Sequence, residues 1–252
     1  MKQYGLIGYP LGHSFSKKYF SEKFINESID CKYELYEIQS IAKFPELLEI
    51  PNLAGLNVTI PYKEQVIPYL DELDENAAKI GAVNVIKFIR NEAELKLKGF
   101  NSDVIGFSKS IQPFLNEKHK KALILGTGGA SKAINFGLNE MRIETKFVSR
   151  NPKHNQLSYK DIDRRILSEY SIVVNTTPVG TFPHIDECPP IPYEYLNSEH
   201  FLFDVVYNPS ETLFLKKGKE KGAKTMNGEK MLVEQAEAAW EIWRTDTDAL
   251  NP

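Results

Sequence analysis

The stretch that most constrains this chain is Ala122-Leu123-Ile124-Leu125, an apolar run leading straight into Gly126-Thr127-Gly128-Gly129-Ala130-Ser131. A short continuous apolar run bounded by glycine suits a strand covered on both faces, as in a parallel sheet. Glycine permits the tight turn and lets an anion approach the backbone. A helix starting near Ala130 would direct its free N–H groups and positive dipole end at that anion. Strand, glycine turn and helix in this order can hold the pyrophosphate of a dinucleotide. The third glycine of the Gly-x-Gly-x-x-Gly pattern is absent, so a purely structural turn is the competing interpretation.

The same rhythm continues downstream. Strands are expected at Ala122–Leu125, Ile143–Ser149, Ile172–Asn175, Phe201–Val206 and Ala223–Met226, with helical or irregular crossovers between them. Crossovers of this kind are nearly always right-handed, which makes a doubly wound sheet the default. Upstream, strands are expected at Tyr4–Gly8, around Cys31, Tyr33 and Leu35, and at Ala54–Val58, with a hairpin of Val83–Arg90 and Leu95–Leu97 about Asn91-Glu92 and a turn at Gly99-Phe100-Asn101. Helices are expected to carry Phe20 and Phe24, to carry Phe44, Leu47 and Leu48, and to begin at Pro61 with Lys63 near the start. A last helix over Gly228–Thr245 places Met231, Leu232, Gln235, Ala238, Ala239 and Ile242 at helical spacing.

The expected fold class is α/β in two lobes. An N-terminal α/β substrate-binding and catalytic domain covers residues 1–104, with the C-terminal helix, 228–252, packing back on it. A Rossmann-like doubly wound parallel-sheet domain covers 105–227. A cleft between two lobes is a usual place for a small-molecule site.

Composition removes other classes. With 31 Lys and Arg against 34 Asp and Glu in 252 residues, the net charge of −3 gives no bulk attraction to nucleic acid or anionic lipid. The basic runs Lys118-His119-Lys120-Lys121 and Lys216-Lys217-Gly218-Lys219 read as solvated turns and helix ends. No apolar stretch approaches the ~18 residues of a membrane span. The first residues reach a Gly-Tyr-Pro turn too soon for the apolar core of a signal peptide. Cys31 and Cys188 are isolated and the five histidines scattered, so neither a disulfide framework nor a metal site is expected. The expectation is a metal-free cytoplasmic protein acting on a small molecule, as a monomer or a homodimer.

The strand after the glycine turn chooses between cofactors. An NAD site places Asp or Glu about 20 residues after the glycines, to bond the ribose hydroxyls. Here Phe147-Val148 runs into Ser149-Arg150-Asn151-Pro152-Lys153, with no carboxylate. The Arg150 fork can clasp a 2′-phosphate bidentately and stack on adenine, which favours NADP. A solvated surface arginine is the alternative.

Four polar clusters sit at the ends of expected first-half strands: His13-Ser14-Phe15-Ser16, Asn57 to Lys63, Gly81 to Asn84, and Gly99 to Asp103. Hydroxyls and amides spread over several loops suit a polyhydroxylated ligand. Each cluster also has a structural explanation, as helix caps (Ser14, Ser16, Ser102, Asp103) or a hairpin turn (Asn84). Lys63 and Asp103 form the candidate chemical pair. Oxidising a secondary alcohol by hydride transfer requires the hydroxyl proton to leave; a lysine can accept it while an aspartate orients it and balances charge. The residues leave open whether Lys63 is a true base or an electrostatic partner.

With these clusters in hand, the chain resembles the NADP-dependent shikimate dehydrogenase family. Gly8, Pro10, His13, Ser14 and Ser16 match its Gly-x-Pro-x-x-His-Ser-x-Ser-Pro segment, with Lys17 in place of the final proline. Asn-Val-Thr-x-Pro-x-Lys stands complete from Asn57 to Lys63. Gly-Ala-Val-Asn-Thr appears as Gly81 to Asn84 followed by Val85, and Gly-x-Asn-Thr-Asp appears with Ser102 in the threonine place. The segments Asn175 to Gly180, Asp204 to Pro209 and Asn227 to Leu232 extend the likeness over nearly the whole chain. The resemblance implies reversible NADPH-dependent reduction of 3-dehydroshikimate to shikimate in aromatic biosynthesis. By position it implies substrate contacts from Ser14, Ser16, Thr59, Asn84, Asp103, Tyr207 and Gln235, and catalysis by Lys63 and Asp103. Gly126, Thr127, Gly128, Gly129, Ala130, Ser149, Arg150, Asn151, Lys153, Thr176, Val205 and Gly228 would line the cofactor. The alternatives are a quinate or shikimate dehydrogenase using NAD, and a nucleotide-binding regulator that lost catalysis.

Overall fold

The computed structural model of the chain describes residues 1–12, 14–91 and 94–245. His13 of the first polar cluster, Glu92 of the expected hairpin turn and residues 246–252 of the expected last helix lie outside the described residues. The chain divides into two units, Met1–Ser102 with the chain from Gln235 onward, and Asp103–Glu234.

In the first unit, alternation of apolar side chains builds a six-stranded sheet. Strands β1 (Lys2–Gly8), β2 (Cys31–Glu37), β3 (Leu53–Val58), β4 (Glu72–Leu73), β5 (Val85–Arg90) and β6 (Leu95–Phe100) are ordered β2-β1-β3-β5-β6-β4. β1 runs parallel to β2 and β3, whereas β5 is antiparallel to both β3 and β6. Because successive side chains face opposite sides, the sheet carries a cluster on each face. Ile7, Leu56, Val58, Ile86 and Phe88 pack on one side, and Tyr4, Leu6, Tyr33 and Val85 on the other. The second face is covered by α1 (Phe15–Asn26), through Phe20 and Phe24, and by the end of α7 (Glu229–Arg244), through Ala236, Ala239, Trp240 and Trp243. Trp243 donates its indole N–H to the Ile86 carbonyl at 3.1 Å. The buried Lys87 ammonium bonds the Ile242 carbonyl at 2.9 Å and the Thr245 carbonyl, meeting the negative end of α7.

Three local expectations change here. No regular helix starts at Pro61: residues 61–66 form hydrogen-bonded turns leading into a short 3₁₀ helix at Ile67–Tyr69. Pro68 has no N–H to donate back to residue 64 and disfavours helical backbone before it. The segment of Phe44 and Leu47 is likewise a 3₁₀ helix, Ile41–Glu49, with Pro45 inside it. Finally, Gly99-Phe100 is strand and not turn, since β6 pairs with β5 through Phe100. A Cβ on Gly99 would lie 2.6 Å from Leu70 and 2.9 Å from Leu73 and Val83, so the glycine serves close packing within the strand.

The second unit is a fully parallel six-stranded sheet. Strands β7 (Lys121–Leu125), β8 (Glu144–Ser149), β9 (Leu157–Ser158), β10 (Ile172–Asn175), β11 (Phe201–Asp204) and β12 (Lys224–Met226) are ordered β12-β11-β10-β7-β8-β9. The chain moves outward from β7 through β8 to β9, then returns to the opposite side of β7. That is the doubly wound order, with its switch point at β7, where crevices open at the carboxyl ends of the strands. Helix α3 (Asp103–Ile111) leads into β7, and α4 (Gly129–Glu140), α5 (Arg164–Glu169) and α6 (Leu213–Glu220) lie in crossovers between strands, after α2 (Glu75–Ile80) in the first unit. The expected continuous apolar runs are buried on both faces, as a sheet covered by helices requires. No helix among the described residues is long and apolar enough to cross a membrane.

Candidate functional site

In the second unit the polar features gather at the carboxyl ends of the central strands. Gly126 leaves β7 with φ +107°, a conformation open to glycine. A Cβ there would lie 2.7 Å from Thr176 Oγ1 and 3.0 Å from Thr177 Cγ2. The Gly126 N–H donates to the Val148 carbonyl at 2.9 Å, while Thr176 donates its N–H and hydroxyl to the Leu125 carbonyl at 2.9 and 2.7 Å. The turn is thereby tied to β8 on one side and to the segment after β10 on the other. Gly128 precedes α4 and faces open space, and its carbonyl accepts from the Ser131 hydroxyl at 2.6 Å. The first-turn N–H groups of a helix have no carbonyl one turn earlier to bond, so Gly129 and Ala130 present donors at the turn.

Ser149 ends β8 beside this turn and accepts from the Asn151 N–H at 3.2 Å. Arg150, Asn151 and Lys153 are exposed. Across β11, Val205 packs against Gly228, where a Cβ would lie 2.2 Å from the Val205 carbonyl oxygen. Backbone donors, glycine surface, a helix start and an exposed cation fit a dinucleotide with an additional phosphate. Tyr207 lies exposed just beyond.

A second network, legible only in three dimensions, holds these loops. Asp204 is fully buried and accepts from Thr212 Oγ1 at 2.6 Å, Asn175 Nδ2 at 2.9 Å and the Val206 N–H at 3.0 Å. Burial pushes its pKa up to about 6, against which these three donors act. Asn175 Oδ1 in turn accepts from the Thr177 hydroxyl and N–H at 2.6 and 3.1 Å. The loops after β10 and β11 are thus anchored to one carboxylate.

In the first unit Ser14 caps α1, accepting from the Lys17 N–H at 3.2 Å. A proline at 17, which the family segment carries, would have no N–H to give. Lys17 therefore fixes the Ser14 oxygen and leaves the hydroxyl proton for another acceptor; its ammonium pairs with Glu34 at 3.0 Å. Thr59 follows β3, its N–H bonded to the Ile7 carbonyl at 2.9 Å. Lys63 is half-buried in the turns after Thr59, with its carbonyl held by the Val83 N–H at 2.7 Å.

Asn84 is nearly inaccessible and central. It donates from Nδ2 to Ser102 Oγ at 3.0 Å, and its Oδ1 accepts from the Ser102 N–H at 2.6 Å. Ser102 Oγ also lies 3.5 Å from Gln235 Oε1. Ser102, standing where the family has threonine, keeps the hydroxyl this pairing needs. Val85, in the other threonine place, is packed in the aromatic cluster.

The structure brings Ser102 together with Asn84 and Gln235 in the first unit, where Ser14, Ser16, Thr59 and Lys63 also lie. The cofactor candidates, Tyr207 and Asp103 belong to the second unit, with Asp103 as the buried first residue of α3. Tyr33, Asn57 and Ser102 take part in the polar network yet were not among the expected site residues. Asn57 and Ser102 stood inside the polar clusters; Tyr33 gave no signal beyond an alternating strand.

A family model described as the shikimate dehydrogenase substrate binding domain matches residues 6–86. The shikimate dehydrogenase (NADP(+)) of Methanosphaera stadtmanae is 38% identical over 262 residues, covering 96% of this chain and 91% of that one. The crystal structure of shikimate dehydrogenase from Aquifex aeolicus has a TM-score of 0.85 and 32% identity, covering 96% of this chain and 92% of its own. Shikimate 5-dehydrogenase from Thermus thermophilus, in complex with NADP(H) and shikimate, has a TM-score of 0.84 and 29% identity, covering 99% of this chain and 97% of its own.

Proposed function

The chain belongs to the shikimate dehydrogenase family, and from that membership we propose that it catalyses the reversible NADPH-dependent reduction of 3-dehydroshikimate to shikimate. It is an NADP-dependent oxidoreductase acting on a CH–OH group. NAD-dependent quinate oxidation and a silent nucleotide-binding regulator are not favoured. The single observation that carries the cofactor assignment is the Gly126 turn hydrogen-bonded to β8, the strand that delivers Arg150.

NADP, when bound, supplies or takes up the hydride. Gly126, Thr127, Gly128, Gly129 and Ala130 would receive its pyrophosphate, and Thr176, Val205 and Gly228 would line the same strand ends. Ser149, Arg150, Asn151 and Lys153 would hold the 2′-phosphate, with the Arg150 fork supplying paired donors. The second unit is on this account the cofactor domain and the first the substrate domain. Ser14, Ser16, Thr59, Asn84, Tyr207 and Gln235 would bind and orient the polyhydroxylated ring. Lys63 exchanges the proton of the reacting hydroxyl, and Asp103 orients that hydroxyl and balances the ammonium charge. The enzyme works in the cytoplasm, as a monomer or a homodimer.

The test is purified protein with shikimate and either NADP⁺ or NAD⁺, followed by absorbance of the reduced nicotinamide. Turnover with NADP⁺ is expected to exceed that with NAD⁺; no turnover with either cofactor overturns the proposal.

A further inference from the structure

Tyr33 is buried on β2, stacked on Phe20 with ring centroids 4.8 Å apart. Its hydroxyl donates to Asn57 Oδ1 at 2.7 Å. Asn57 Nδ2 donates to the Asn84 carbonyl at 3.3 Å, and because a carbonyl only accepts, the Asn57 amide has a single orientation. The phenol has one proton, already committed to Asn57. Burial holds the phenol well above the ordinary tyrosine range, so it remains a donor at working pH. Two directions are thereby set, Tyr33 to Asn57 and Asn57 to the Asn84 carbonyl, while the Asn84 side chain pairs with Ser102, whose hydroxyl lies 3.3 Å from Asn84 Oδ1 and 3.5 Å from Gln235 Oε1.

We propose that Tyr33 is a positioning residue for substrate binding, fixing the buried Asn57 amide and, through it, the backbone of Asn84, whose side chain is paired with Ser102. This rests on the functional reading above, in which Asn84 binds the ring. Tyr33 touches neither substrate nor cofactor. It acts by satisfying a buried amide oxygen that would otherwise be left without a donor, which holds the Asn57 amide in the orientation that reaches Asn84.

The test is steady-state kinetics of Tyr33→Phe, Asn57→Ala and the double variant. Tyr33→Phe keeps the ring and its stacking, and is expected to raise KM for shikimate about three- to tenfold, the scale of one hydrogen bond. kcat and KM for NADP⁺ should stay at wild-type values, a split that general destabilisation would not produce. The double variant should raise KM by less than the product of the single effects, because the two groups share one bond. An unchanged KM in Tyr33→Phe, or effects that multiply in the double variant, overturns the proposal. Should Tyr33→Phe fail to fold, Asn57→Asp removes the donor to the Asn84 carbonyl while keeping an acceptor for the phenol; an unchanged KM there contradicts the proposal equally. Wild-type protein that turns over no shikimate defeats the functional reading itself, whereas an active wild type with an unaffected Tyr33→Phe defeats only this inference.

Discussion

At the scale of single residues, charge and hydrogen-bond direction decide what each site can hold. Arg150 stands where an NAD site would place a carboxylate, at the end of the strand tied to the glycine turn. Arg150→Ala should weaken NADP by about 1.5–3 kcal/mol, the scale of a charge-assisted hydrogen bond, and leave NAD affinity unchanged. Titration of both cofactors checks this, and equal losses would show that the side chain does not read the 2′-phosphate. Gln235, at the end of the Asn84–Ser102 pairing, should act through binding: Gln235→Ala is expected to raise KM for shikimate with little change in kcat. A pure kcat loss would contradict that role. For Gln235 the sequence offered only its family resemblance, whereas the place of Arg150 was legible, because motif, spacing and neighbouring strand agreed. Tyr33 was not, because its link to Asn57 crosses from β2 to β3 over β1, and only the register of three parallel strands places the two side chains on one face.

At the scale of elements, the parallel sheet was readable because buried strands advertise themselves as unbroken apolar runs between glycines. The first unit was less so. Its prolines at 45 and 68 turn expected helices into 3₁₀ segments, and Gly99, which looks like a turn residue, lies in a strand to admit Leu70, Leu73 and Val83. The same unit depends on an interaction no periodicity reveals: Lys87, on β5, closes the carbonyl end of α7. Lys87→Met should keep the packing volume but leave those carbonyls without their charged donor, lowering stability by about 1–3 kcal/mol. A urea unfolding curve checks this; an unshifted midpoint would mean that the ammonium contributes nothing to holding α7.

For the whole molecule, the buried Asp204 makes stability depend on pH. Its pKa is raised from 3.8 to about 6 in the folded protein, so between those values the folded state holds a proton that the unfolded state has released. Stability from this group is therefore fully present below the unfolded value and is lost as pH rises through the window, by about 3 kcal/mol in total. Wild type minus Asp204→Asn stability, measured by denaturant unfolding across that range, should show this fall; a flat difference would place the proton elsewhere. On the proposed function, the doubly wound order of the second sheet and the network that Asp204 anchors serve one end, a cradle for the nicotinamide cofactor, and the reacting proton passes through Lys63. The most direct test is the kinetics of Lys63→Met. General acid–base contributions are of order 10²–10⁴ in rate, so kcat for shikimate oxidation should fall by at least about a hundredfold. KM and NADP⁺ affinity should stay near wild type. Turnover close to wild type would show that the proton leaves by another route and would contradict the account.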